Sequence, residues 1–197
     1  MNTVIFDISM SLDGYISAAN RTADEPNGEG SHVLHDWVFA DGDPANEALV
    51  ASGWDNIGAV IAGRATYDLS VPYWQADGPS GPARRPVIVV THNAPRHSPE
   101  DGVYEFVTDG IEAALARATA VAGNGDVTVM GGAALGRQFI EAGLLDEISL
   151  HVAPVLFGDG TRLFETMKID HTRLQVRDVI NTPAATHLRY RVLKAHV

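Results

Sequence analysis

Apolar and polar positions alternate with a period of two at the start of the chain. Val4, Phe6, Ile8 and Met10 interleave with Ile5, Asp7, Ser9 and Ser11, which predicts a strand. Asp13-Gly14 supplies turn chemistry before Tyr15-Ile16-Ser17. Residues 45–53, ANEALVASG, read as a short helix closed by Gly53. GAVIAG at 58–63 and PVIVVTHN at 86–93 contain short apolar runs that suit buried strands, and Val103–Val107 is a weaker third. Asp109 with Glu112 three residues later forms a capping-box pattern; Ile111, Leu115, Ala118 and Ala122 follow at helical spacing before Gly123. A strand at 126–130, a helix at 133–142 and a strand at 147–156 come next. Two long strands, about 171–180 and 186–195, flank Asn181-Thr182-Pro183, with Leu174, Val176 and Ile180, then Leu188, Tyr190 and Val192, expected to face mostly inward. This order predicts an α/β fold, mostly parallel, with an antiparallel C-terminal hairpin.

Composition narrows the function classes. The 197 residues, an ordinary length for one domain (1–197), hold 45% hydrophobic and 20% charged residues. Lys and Arg number 14 against 25 Asp and Glu, a net charge of −11, which argues against a nucleic-acid partner, since duplex binding needs clustered bases. No run approaches the ~18 apolar residues of a membrane helix, so no membrane partner is expected. The N-terminus has no basic region and carries Asp7 within its apolar stretch, so it does not read as a secretion signal. The chain has no cysteine, which removes disulfides and thiolate chemistry and fits a cytoplasmic location. Residues 21–47 contain seven acids and one base, Arg21, and so contribute −6 of the total. The 21–43 part is expected to be a surface excursion, and loops this long tend to be functional.

Three segments place phosphate-friendly chemistry at strand ends. Val129-Met130-Gly131-Gly132-Ala133-Ala134-Leu135 joins a strand to a helix through a double glycine, where absent Cβ atoms and free N–H groups favour an anion. A tight turn without a ligand would use the same residues. Gly63-Arg64-Ala65-Thr66-Tyr67 offers a guanidinium and a hydroxyl at another strand end, though Arg64 can equally be a solvated surface residue. Thr91-His92-Asn93, with Arg96 close behind, ends a third strand. Ligands of open parallel sheets bind outside the carboxyl ends of strands. Three such ends together suggest an extended ligand with several phosphates, such as a dinucleotide, although no G-x-G-x-x-G fingerprint occurs.

The order SLDG, GRATYD, PVIVVTHN, VMGGAALGRQF and DEISLHVAPVLFGDGTRLF resembles the dihydrofolate reductase-like superfamily, and most closely the reductase domain of riboflavin biosynthesis and its bacterial relatives. The resemblance runs from residue 2 to about 193. It implies a three-layer α/β/α fold with a central sheet of about eight strands, and NADPH across its edge. It also implies that Gly63, Arg64 and Thr66 meet the phosphates, that Gly131 to Leu135 meet the pyrophosphate beside Met130, and that Thr91, His92 and Asn93 sit by the adenosine 2′-phosphate. The implied reaction is hydride transfer to a C=N or C=O bond of a small planar heterocycle, an aminouracil-type riboflavin precursor or a pterin. The pattern departs in two places: no acid maps onto the first-helix carboxylate that grips pterin in dihydrofolate reductases, and Met130 stands where riboflavin-pathway reductases often carry glutamate. Those departures motivate the competing expectation of a dinucleotide- or metabolite-binding protein without catalysis.

Single residues carry two readings each. Asp7, a candidate catalytic acid on the first strand, either faces the substrate pocket, as the resemblance implies, or forms a structural ion pair. Asp13 is the other catalytic candidate, yet Asp-Gly is strong turn chemistry. Trp37 can stack on a planar substrate or pin the acidic loop; His151 sits on a strand and is placed with Asp7 and Trp37 on the substrate side. His32, His35 and Asp36 lack the spacing of a metal site, so no metal is expected. Val33, Leu34, Trp37, Val38 and Phe39 are five large apolar residues in seven positions. Residues 33–39 are therefore expected to dock over the open edge as a helical turn or lid, with 21–31 mobile. The long C-terminal hairpin and the resemblance together predict a homodimer.

Overall fold

The computed structural model describes residues 2–22, 24–165, 167–169 and 171–194. The chain runs β1 (Val4–Ser11), β2 (Tyr15–Ala18), α1 (Asp36–Phe39), α2 (Pro44–Ser52), β3 (Ile57–Gly63), α3 (Arg64–Trp74), β4 (Val87–Val90), β5 (Tyr104–Val107), α4 (Ile111–Ala122), β6 (Asp126–Met130), α5 (Ala133–Glu141), β7 (Glu147–Ala153), β8 (Gly160–Arg162), β9 (Arg173–Asn181) and β10 (Thr186–Leu193). One eight-stranded sheet has the order β5-β4-β3-β6-β1-β7-β10-β9, and β2 pairs with β8 in a separate two-stranded sheet. From β5 through β7 every pairing is parallel; β10 joins β7, and β9 joins β10, antiparallel. This is the mixed, mostly parallel α/β/α architecture with a C-terminal hairpin.

Alternation along the strands gives the sheet two unlike faces. One face sends Phe6, Ala59, Ile61, Val127, Val129, Ile148 and Leu150 against the apolar stripes of α4 and α5. α5 comes so close that a Cβ on Gly136 would lie 2.2 Å from the Phe6 ring, so only glycine fits there. The other face is most apolar beneath α3, where Tyr67 covers Val60, Ala62, Val87 and Val89. Farther across, on β6, β1, β7 and β10, Ile5 and Met130 are outnumbered by the polar positions Thr128, Asp7, Ser9, Ser149, His151, His187 and Arg189. That polar half is where a cavity opens.

The structure departs from the sequence pattern in three ways. The expected capping box at Asp109 does not form: Gly110 is the cap residue and no side chain bonds there, so the helix begins one turn position later than Asp109 needs. Leu174 and Val176, expected inward, are 43% and 59% exposed, because β9 is the sheet's edge. The strand expected at 147–156 stops at Ala153, and the following segment returns to pair β8 with β2.

The acidic excursion is folded. A 3-10 turn at Ser31–His35 leads into α1, and Leu34 is buried at 1% exposure. Residues 33–39 thus dock through Leu34 and Trp37, over the polar sheet face rather than the sheet edge, while Phe39, expected to join them, is 80% exposed. Of residues 21–31, expected mobile, Ala23 lies outside the described residues and the 25–30 part is tied down: Ala18 N–H donates to Asn27 O, Glu29 N–H to Ala19 O, and Gly30 N–H to the Glu25 carboxylate.

Candidate active site

The carboxyl ends of β4, β3 and β6 lie side by side, with Gly63 opposite Val90 and Ala62 opposite Met130. Topology therefore brings the three strand-end motifs together. Gly131 and Gly132 both take positive φ, 71° and 82°, a region that favours glycine. A Cβ on Gly131 would lie 2.5 Å from Thr66 Cγ2, so the GR-x-T and double-glycine motifs form one packed unit. No side chain caps the α5 N-terminus, leaving its first N–H groups available to an anion. Leu135, by contrast, is buried beneath this turn and contributes packing against Gly63.

Arg64 opens α3. Its Nε donates to both Asp68 carboxylate oxygens, at 2.8 and 2.9 Å, and an Nη donates to Asn93 O at 2.6 Å. Thr91 is buried, and its hydroxyl bridges Asn93 and Arg64 within the turn. The hydroxyl thus holds the turn, leaving Arg64 and the exposed His92, Asn93 and Arg96 as the outward-facing groups at this end.

A cavity of about 770 Å³ extends from this cradle across the polar half of the sheet. Ala65, Thr66, Met130, Gly131, Gly132, Ala133 and Ala134 line one end. At the other, strand register places Asp7 beside Ser149 and Ser9 beside His151, with His187 opposite His151 and Arg189 opposite Ser149. His151 Nε2 lies 3.2 Å from Asp7 Oδ2, and its Nδ1 lies 2.7 Å from His187 Nδ1. Burial pushes the Asp7 carboxyl up, but hydrogen bonds from His151 and Ser149 and the charges of His151 and Arg189 outweigh it, leaving it below its ordinary value. Burial, reinforced by His151 and opposed by Asp7, pulls the His187 imidazole down to about 4. Arg189 is held by Glu147 at 2.5 Å.

The lid closes over this end. The Trp37 indole stacks on His151 with ring centres 4.2 Å apart, and its N–H donates to Ser9 Oγ at 3.0 Å. Asn46, buried on α2, donates to the carbonyls of Trp37 and Ala40 and fixes the lid's exit. Arg21, the one base of the acidic segment, lines the cavity with its guanidinium on the Ser17 and Thr161 hydroxyls. The cavity therefore meets a cation from a segment whose net charge is negative.

Asp13 does not join the site. Its carboxylate accepts from Ser11 Oγ and from the N–H groups of Phe157 and Gly158. Those bonds, Ser11's first, pull it down to about 2. It fastens the chain leading to β8, which corrects its candidacy as a catalyst. His187, Asn46 and Arg189 are the residues that sequence reasoning missed. The hairpin register was the available signal: His187 and Arg189 share a phase, and antiparallel pairing sets them opposite His151 and Ser149. Among the described residues, no group of three or more His, Asp or Glu is placed to hold a metal.

Comparison with known proteins assigns the class. Residues 2–188 match the family described as the RibD C-terminal domain, and the chain belongs to that family. The Bacillus subtilis protein YwjB is 27% identical over 95% of this chain and 96% of its own. Two solved structures share the fold. A Shewanella sp. PV-4 protein whose name ties it to riboflavin biosynthesis has a TM-score of 0.72 at 22% identity, covering 98% of this chain and all (100%) of that one. Dihydrofolate reductase from Enterococcus faecalis, complexed with NADP(H), has a TM-score of 0.56 at 18% identity, covering 98% and 97%. The fold is thus dihydrofolate reductase-like. No helix among the described residues is long and apolar enough to cross a membrane.

Proposed function

We propose that this protein is an NADPH-dependent reductase acting on a C=N or C=O bond of a small planar heterocycle, of pterin or aminouracil type. The observation that carries the reading is the single cavity joining two unlike ends: a backbone cradle suited to phosphates, and a polar sheet floor under an aromatic lid. Its volume of about 770 Å³ lies within the range of small-molecule sites. The cradle fits a dinucleotide on the residues present: Gly131 and Gly132 hold the turn at positive φ against Thr66, the α5 N-terminus offers N–H groups, and Arg96, with Arg64 beside its Asp68 partner, adds positive charge near the third strand end. Bound there, NADPH would supply a hydride, and the protein's part is to orient, exclude water and deliver a proton. Trp37 and α1 exclude water from the reacting end. Asp7 is the carboxylic acid of the floor, its side chain 36% exposed to the cavity that Arg189 also lines.

Calorimetric titration tests the reading. NADPH should bind saturably at tens of micromolar or tighter, with NADH weaker because it lacks the 2′-phosphate. No saturable binding of either would overturn it. Stopped-flow oxidation of bound NADPH by the planar cyclic imine 6-methyl-7,8-dihydropterin then separates a reductase from a protein that binds without catalysis.

A further inference from the structure

We infer that Asp7, His151 and His187 form a one-proton store under the substrate end, with Asp7 as the group that touches substrate and the two histidines as positioning residues behind it. The inference rests on the reductase reading above for its use in catalysis, but the store itself is legible without it.

The geometry restricts where protons can sit. Two imidazole Nδ1 atoms 2.7 Å apart cannot both carry hydrogen and cannot both be bare, so one proton lies between them. His151 Nε2 faces a carboxylate held ionised, and therefore carries hydrogen. Both nitrogens of His151 are thus engaged, and Trp37 covers its ring face. His151 cannot present a free N–H to a ligand, whereas Asp7 opens on the cavity. His187, 5% exposed, has no partner for Nε2 among the described residues. The chain of hydrogen bonds ends there and has one open terminus, at Asp7.

Two states satisfy these constraints, and they differ by one proton. In the empty state, His151 is neutral with hydrogen on Nε2, and His187 donates its Nδ1–H. In the loaded state, His151 is an imidazolium beside the Asp7 carboxylate, and His187, still neutral, accepts at Nδ1 and carries its hydrogen on Nε2. Loading therefore inverts the tautomer of His187. The surrounding charges favour the positive charge on His151 rather than His187: Asp7 contacts only the former, while Arg189 on β10 is neutralised by Glu147. His35, which lines the cavity from the 31–35 turn, faces the same cluster and opposes a second proton.

In reduction of a C=N bond, the carbon gains a hydride and the nitrogen keeps the former π pair. That nitrogen takes a proton from the Asp7 carboxyl as Asp7 takes one from His151 Nε2. One hydride and one proton are added in total. Delivery leaves His151 with hydrogen on Nδ1 alone, and Asp7 returns a proton from water to its Nε2 when the lid opens; His187 keeps its Nε2 hydrogen throughout turnover.

Histidine-labelled protein without ligand provides the deciding test. Long-range proton–nitrogen correlation should show one slowly exchanging hydrogen coupled to both Nδ1 nitrogens, and acidification should invert His187 from Nδ1–H to Nε2–H while it stays neutral. Both rings keeping fixed tautomers, or His187 taking the added proton itself, would overturn the store whatever NADPH does. In the second measurement, His187→Phe should slow hydride transfer to 6-methyl-7,8-dihydropterin by about tenfold and Asp7→Asn by about 100-fold, the scale of general-acid loss. NADPH affinity should stay within about twofold in both, since neither residue contributes to the phosphate cradle. Unchanged transfer in Asp7→Asn would overturn the catalytic role, and failure to bind NADPH at all would instead count against the reductase reading.

Discussion

The two ends of the cavity are built in opposite ways. The cradle is made of residues consecutive in sequence, Ala65 and Thr66 and Met130 to Ala134, and it works largely through backbone. The floor is made of single side chains from three strands and a helix, Asp7, Ser9, Ser149, His151, His187, Arg189 and Trp37, and works through hydrogen bonds between them. A backbone cradle binds what many ligands share, a phosphate. A side-chain floor can change one residue at a time, so it suits the discriminating part of the ligand.

The largest expected effect comes from breaking the cradle's backbone. Gly131→Val forces a branched side chain into positive φ and against Thr66, and should cost about 2–4 kcal/mol of stability by denaturant titration, from left-handed strain plus overpacking. Comparable stability to wild type would show that the cradle is not the rigid end. Arg64→Ala comes next: loss of charge-assisted phosphate contacts of ~1.5–3 kcal/mol predicts about a ten- to 100-fold weaker NADPH Kd by calorimetry. Trp37→Ala should act on the other end, lowering turnover of 6-methyl-7,8-dihydropterin by about tenfold with NADPH affinity within about twofold. If instead only the melting temperature falls, the lid is a structural plug.

The smallest effects are in pH. His187 lies at about 4 against an ordinary 6.5, so the unfolded chain binds more protons between those values. Its contribution to stability is complete above about pH 6.5 and is lost as pH falls through 4. His187→Phe should flatten that part of the stability profile. Asp13, held at about 2 against 3.8, contributes above about pH 4 and loses its contribution as pH drops through 2. Asp13→Asn should therefore matter at neutral pH and be silent near pH 1.5.

The same contrast explains what was legible in the sequence. Gly131 and Arg64 announce themselves because a turn and its chemistry are local, and the strand and helix order follows from apolar periodicity. Asp7 and His151 could be placed on their strands, but their contact depends on the β1–β7 register, which no local pattern encodes. His187 was hidden among eight histidines, and only the β7–β10 pairing singles it out. Leu174 and Val176 misled because alternation reports that a strand has two faces, not whether anything covers them. Asp109 misled because a capping pattern is a local preference, and Gly110 took the position first.

All three tryptophans of the chain, Trp37, Trp54 and Trp74, line the one cavity. The indole emission of this protein is consequently sensitive to that cavity from three positions. Trp37 rests on an imidazole, and a protonated imidazole accepts an electron from an excited indole, so loading the store should dim this residue. A dihydronicotinamide bound nearby absorbs where indole emits and would take up the excitation of all three. Light alone can thus follow the occupancy of both ends of the cavity in the unmodified protein.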